Sequence, residues 1–361
     1  MQFYGELLLG TAFLWTALCA GAAFLGARFR RQNLIDSSRY GLYALVFLFW
    51  AMALILSYTF ITSDFSNKYV VAYSDRGMSV FYRLAAFWGG EKGALLLWTL
   101  MLSTFSAISI HTNRHKAPRW IGTTIGILLV AIGFFELLMI TESNPFETYL
   151  TNSGPSDGDG MNPLLQTPTM LFHPPALLTG YITFTIPFAY GLAALLVNKL
   201  DTEWIRVTRF WTLVSWLFLS LGLILGGLWA YQEQGWGGVW MWDAVENAGL
   251  IPWFTATAFL HSVMIQERRG MLKRWNAILV CLTFLLTIFG TFLTRSQLIV
   301  SIHAFADSQL PNYFFGYMIG IVIISALAVS WRWKALKSEN SIESFWSRES
   351  FFILNNVILV A

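Results

Sequence analysis

Nine apolar runs of helical length fill most of this 361-residue sequence: 5–27, 40–62, 93–111, 121–141, 175–197, 207–231, 249–266, 276–293 and 312–331. A tenth begins near Phe351 and stops at Ala361. About 20 residues of helix cross a hydrocarbon core, so these runs read as nine spans and part of a tenth. Backbone groups in lipid must bond within their own segment, which makes the spans helices, and no alternating pattern argues for a barrel. Only 12% of the residues are charged and 56% are hydrophobic, whereas about 25% charge is usual in soluble domains. Soluble enzymes, nucleic-acid-binding proteins and disordered scaffolds are thereby excluded. The fold class expected is an all-α polytopic membrane protein, one helical domain over 1–361, with no internal repeat.

Lys and Arg alternate between the connections. Segments 28–39, 112–120, 198–209, 267–275 and 332–350 hold 18 of the 23, and Lys68, Arg76, Arg83, Lys92 and Arg295 fall in the other set. The positive-inside rule then places the first set in the cytoplasm and the N-terminus outside. Span one carries its basic cluster, Arg28-Phe-Arg-Arg31, after the apolar run. A cleavable signal peptide shows the reverse order, so this run is kept as a span. The outer face is expected to carry loops 63–92 and 142–174 and the short segment 232–248. A chain ending part-way through an apolar helix is expected to be a fragment, or one piece of a split protein.

Chemistry concentrates in few places. Cys19 and Cys281 lie inside apolar runs without any C-x-x-C pairing, so they read as packing residues, and covalent haem on this chain is excluded. His111 and His115 sit beside Arg114 and Lys116 and read as solvated; a metal pair there lacks a third ligand. His173 and His303 fall in outer segments at the membrane boundary. His261 is twelve residues into span seven, where a lone imidazole is costly without a function or a carbonyl partner. Trp236, Trp240 and Trp242 crowd seven residues. An interfacial aromatic belt explains part of that density but not Gly237-Gly238, which lets backbone approach something flat, such as a porphyrin. Asp243 followed by Glu246 before an apolar run is a capping-box pattern. Arg295 suits a propionate or a lipid phosphate, and Glu136 is expected to snorkel outward.

These residues carry a specific likeness. Trp236-Gly-Gly-Val-Trp-Met-Trp-Asp-Ala-Val-Glu-Asn247 resembles the Trp-rich WWD segment of haem-handling membrane proteins. Phe87-Trp-Gly-Gly-Glu-Lys-Gly93 with Leu97-Trp98, Phe172-His-Pro-Pro175, and Gly290-Thr-Phe-Leu-Thr-Arg-Ser296 leading to Ser301-Ile-His-Ala-Phe305 point within that group to the CcmF-type cytochrome c maturation family. The likeness covers essentially the whole chain. A paralogue serving nitrite reductase maturation shares the same motifs. Val239 and Met241 stand where the family often has aromatics, and Ala244 where it often has Pro; the Trp frame is kept.

The resemblance implies a haem lyase component in a bacterial inner membrane, active on its periplasmic face. Haem would arrive from the chaperone CcmE and be held against the Trp-rich segment with Trp236, Gly237, Gly238, Trp240, Trp242 and Asp243, and Arg295, read from its own place on the outer face, joins them as a candidate haem-binding residue. His173 and His303 match the two external haem-iron ligands, and His261 matches one of two ligands to a separate intramembrane haem b. The second of those lies beyond residue 361, so that site would need a partner from another polypeptide. CcmH/CcmI-type apocytochrome-handling proteins, apocytochrome c and the lipid bilayer are the remaining implied partners, with no nucleic acid. The rival readings are a haem exporter, which would need a polar path through the spans, and a b-type cytochrome subunit, which usually carries intramembrane histidine pairs.

Overall fold

The computed structural model describes residues 2–149, 154–235, 237–296, 310–340 and 346–360. Among them every regular element is a helix, with a single isolated bridge between Asn67 and Thr148. Long helices run over α1 (Gln2–Phe29), α2 (Gln32–Ile61), α5 (Glu91–Asn113), α6 (Pro118–Thr141), α9 (Thr202–Glu233), α10 (Ala244–Arg269), α11 (Lys273–Arg295) and α12 (Leu310–Trp331). Short helices α3 (Lys68–Tyr73) and α4 (Val80–Ala85) lie between α2 and α5. The fifth span is a pair, α7 (Pro168–Thr183) and α8 (Thr185–Val197), meeting at Phe184, and α13 (Arg348–Val360) is the apolar tenth. Counting 168–197 as one, nine helical stretches among the described residues are long and apolar enough to cross a membrane. Their flanks run a turn or so past the apolar runs; α9 reaches 32 residues.

The clearest difference from expectation is at the fifth span. It begins at Pro168, not near 175, and carries Pro174 and Pro175 inside the helix. Pro168 sits in the first turn, where a missing N–H costs nothing. Pro174 cannot bond to the carbonyl of Met170, and the indole N–H of Trp88 donates to that oxygen instead, at 3.4 Å. His173 therefore lies in a helix and not in a loop.

Polar contacts gather at two ends of the bundle. At one, Gln2 bonds Asp64, Asn144 bonds Glu6, and Lys68 and Lys92 flank Glu147. At the other, Lys116 pairs with Glu203, Arg209 with Glu267, and Arg332 donates to the carbonyl of Leu195. The segments that the Lys and Arg count grouped together share the second end. Between the ends the perimeter is apolar, with Leu14, Leu18, Ile224 and Leu327 exposed as lipid-facing side chains are.

Helix α7 presses closely on α9. A methyl built on Gly180 would stand 2.4 Å from the backbone nitrogen of Leu219, and one on Gly222 would stand 2.5 Å from the Cα of Leu177. Small residues at this crossing let the two backbones touch, which is how helices gain packing in lipid. Glu136 departs from expectation. It does not snorkel; it is 0% exposed, and one carboxylate oxygen accepts from the Thr16 hydroxyl of α1 at 3.0 Å. A partner within reach inside the bundle holds it there.

Candidate functional site

A cavity of about 270 Å³ opens among α5, α7, α9 and α11 at the end of the bundle that carries Glu147. Its walls include His173, Pro174, Leu177 and Tyr181 of α7, Trp98 of α5, Trp229 of α9 and Gly290, Thr291 and Arg295 of α11. Trp88 and Met161 close it from the connecting segments, and Val245 from the start of α10.

His173 is fixed by the α7–α9 crossing. Its Nδ1 lies 2.8 Å from the carbonyl oxygen of Gly222. A carbonyl only accepts, so Nδ1 carries a proton, and in the neutral ring the lone pair is then on Nε2, the tautomer an iron ligand needs. The ring fits because residue 226 is glycine: a methyl there would stand 2.6 Å from His173 Cε1.

Arg295 ends α11 and is 4% exposed, in an ion pair with Glu91 at 2.9 Å. This corrects the expectation that left lipid phosphate open, since a buried guanidinium does not reach a headgroup. Glu91 also accepts from the Ser143 hydroxyl at 2.6 Å. The turn that presents Glu91 is the Phe87–Gly93 motif, built round the Tyr69 hydroxyl. That oxygen accepts from the Gly90 N–H at 3.0 Å and lies 3.0 Å from the carbonyl of Phe87. Burial pushes the Tyr69 phenol far above its ordinary value, so it stays a donor.

In the Trp-rich segment, Asp243 and Glu246 form the expected capping box on α10. Gly237 has φ +72 with open space around it, and Gly238 is half-buried beside it. Trp242 is 71% exposed and holds φ +58, the left-handed region that favours glycine. Trp240 is half-buried and its ring stands at 85° to that of Trp242, centroids 6.2 Å apart. The two indoles therefore offer faces at right angles and not one flat wall. Trp236 and His303 lie outside the described residues.

The structure thus brings His173 and Arg295 to one cavity and sets Val245, two residues past Asp243, in its wall. His261 is elsewhere, on α10, with Nδ1 2.7 Å from the carbonyl of Thr257 one turn back and Phe352 of α13 beside the ring. It has the same tautomer as His173, and the carbonyl partner comes from its own helix. His111 and His115 are exposed, as expected. Among the described residues no three His, Cys, Asp or Glu side chains gather to hold a metal ion. Iron carried by a porphyrin asks the protein only for axial ligands, and the imidazoles of His173 and His261 could each offer one at its own site. Sequence reasoning gave no chemistry to Trp98, Tyr181 or Glu91. The first and last lie in or beside the Phe87–Gly93 motif, which marked the place but not the contact.

Comparison with known proteins follows the same lines. The sequence model of the family described as Cytochrome C assembly protein matches residues 88–301. The cytochrome c-type biogenesis protein CcmF of Haemophilus influenzae is 40% identical over 323 residues, 89% of this chain and 49% of that protein. CcmF of Escherichia coli is 42% identical over 311 residues, 85% of this chain and 47% of that one. NrfE of Haemophilus influenzae is 37% identical, covering 84% and 48%. A solved structure described as cytochrome c heme lyase CcmF superimposes with TM-score 0.81 and 27% identity, covering 99% of this chain and 54% of its own. The chain spans about half the length of the curated relatives it matches.

Proposed function

This chain belongs to the cytochrome c assembly protein family, and from that premise we propose that it receives haem for covalent attachment to apocytochrome c, as a CcmF-type haem lyase component. The observation that carries the reading is His173, a partly buried imidazole whose Nδ1–H is pinned to Gly222, in the wall of a cavity with a buried Arg295.

Haem is the substrate. His173 and His303 are the residues that would ligate its iron, and the Trp segment would shield it. Attachment adds each cysteine thiol of the apocytochrome across one vinyl group: sulfur bonds to one carbon of the double bond, the thiol hydrogen to the other, and no electrons leave. The side chains therefore position haem and thiols and keep oxidising solvent away, while acid–base catalysis has little to do. His261 is the residue that would hold a resident haem b, whose chemistry is electron transfer. CcmE delivers haem, CcmH/CcmI-type proteins present the apocytochrome, and the Trp segment faces the periplasm from a bacterial inner membrane.

The test is a haem titration of the purified chain followed by optical spectra and a pyridine haemochrome assay. His173→Ala and His303→Ala are each expected to abolish stable external haem while leaving the helical circular dichroism intact. Wild-type occupancy in either variant would refute the ligand assignment.

A further inference from the structure

The inner end of the cavity holds two donors with no acceptor among the described residues. Trp98 is 1% exposed, lines the cavity, and its indole N–H has no hydrogen-bond partner among the described residues. Tyr181, also in the wall, donates its hydroxyl to no described residue. The space at that hydroxyl exists because residue 290 is glycine: a methyl on Gly290 would come within 2.9 Å of it. Trp98 and Tyr181 meet edge to face, ring centroids 6.5 Å apart, and Trp98 is backed by Phe135 at 4.9 Å.

An indole nitrogen can donate but cannot accept. Whatever meets it must bring an acceptor, and an unmet donor in a low-dielectric interior is costly enough to be rare. Leu177, Leu178 and Pro174 make the walls above apolar. The occupant that suits this shape is a flat apolar body with oxygen acceptors along one edge. Tyr181 lies eight residues beyond His173 on the same stretch of helix, about 12 Å along it.

We propose that Trp98 and Tyr181 form a carboxyl-binding subsite at the cavity floor, which takes the propionate edge of the substrate porphyrin and turns its vinyl edge outward. This rests on the reading of the cavity as a haem site. Arg295, one to two turns nearer the mouth and already engaged by Glu91, is then not the main carboxyl seat. The orientation has a chemical consequence, because the thiols approach from outside the membrane and react only with vinyls.

Two iron porphyrins separate the terms: mesohaem, which carries two propionates, and etiohaem, which has ethyl groups in their place. Both are titrated into the 361-residue chain in detergent, with the Soret band as readout. Wild type is expected to prefer mesohaem. Trp98→Phe and Tyr181→Phe should each lower the mesohaem-over-etiohaem preference by about tenfold, the size of one buried hydrogen bond to a charged or strongly polar group. Tyr181→Phe removes one oxygen and keeps the ring, so it decides the matter if Trp98→Phe fails to fold. His173→Ala should weaken both porphyrins alike. If both Phe variants bind the pair as wild type does, or weaken both porphyrins equally, the subsite is refuted while the haem reading stands. If wild type binds neither porphyrin, the haem reading fails and the subsite with it.

Discussion

Gly226→Ala is a one-methyl perturbation that should disable His173 without touching it. The added Cβ would lie 2.6 Å from His173 Cε1 and 3.1 Å from Nδ1, where ordinary contact starts at 3.4 Å. The ring has to retreat by about 0.8 Å, several times the ~0.2 Å tolerance of a metal–ligand bond. It also leaves the Gly222 carbonyl that fixes its tautomer at 2.8 Å. Loss of such a supporting bond typically weakens a metal site 10- to 100-fold, which is roughly 1.4–2.7 kcal/mol. Haem titration monitored at the Soret band measures this directly. Gly316→Ala is the control, because nothing lies within 4 Å of a methyl built there. If Gly226→Ala binds haem within twofold of wild type and with the same spectrum, His173 is not held as argued and the ligand geometry is wrong.

Trp242→Gly should release a left-handed backbone, φ +58, and so raise thermal stability by about 1 kcal/mol while lowering haem retention; a loss of stability would show that the indole packs structurally. Tyr69→Phe leaves the carbonyls and N–H of the 86–90 turn without their common partner and should cost about 1–3 kcal/mol in a denaturation series; no loss would mean that the turn does not depend on that hydroxyl. Lys68 and Lys92 hold the Glu147 carboxyl below its ordinary 4.5. The stabilisation is therefore fully present above about pH 4.5 and is lost as pH falls through the lowered value. Glu147 is 42% exposed, so solvent screening keeps the effect to a few tenths of a kcal/mol; Lys68→Met should flatten the acid limb of the unfolding curve, and an unchanged limb would discount the pair.

The spans were legible because lipid imposes a length and an apolar composition on each helix independently of its neighbours. Local devices were legible for the same reason: Asp243 and Glu246 are three residues apart, and their capping box could be read directly. The Pro174–Pro175 pair misled because prolines mark a boundary only when nothing else takes up the freed carbonyl, and Trp88, 82 positions from Met170, does so here. Arg295 meets Glu91 across 204 residues and His173 meets Gly222 across 49. No periodicity encodes such pairings; they arise only when α7 crosses α9 and the end of α11 reaches the start of α5. The density of Trp in 236–242 located a special surface, while the perpendicular set of Trp240 and Trp242 depends on backbone torsions that residue types do not announce.

Helix α9 connects these matters to the membrane itself. Its 32 residues span about 48 Å against a hydrocarbon core of about 30 Å. The excess has to be absorbed by tilt or by standing proud of the lipid, and the Trp segment begins three residues after the helix ends. Bilayer thickness then acts as a setting on the site. Longer acyl chains would draw the aromatic rim down into the headgroups, and shorter ones would lift it clear into water, with His173, some seven turns from the far end of the bundle's fifth stretch, carried along on the same frame. Under the proposed haem reading, membrane thickness becomes a variable of haem capture in its own right, adjustable by lipid without changing a residue.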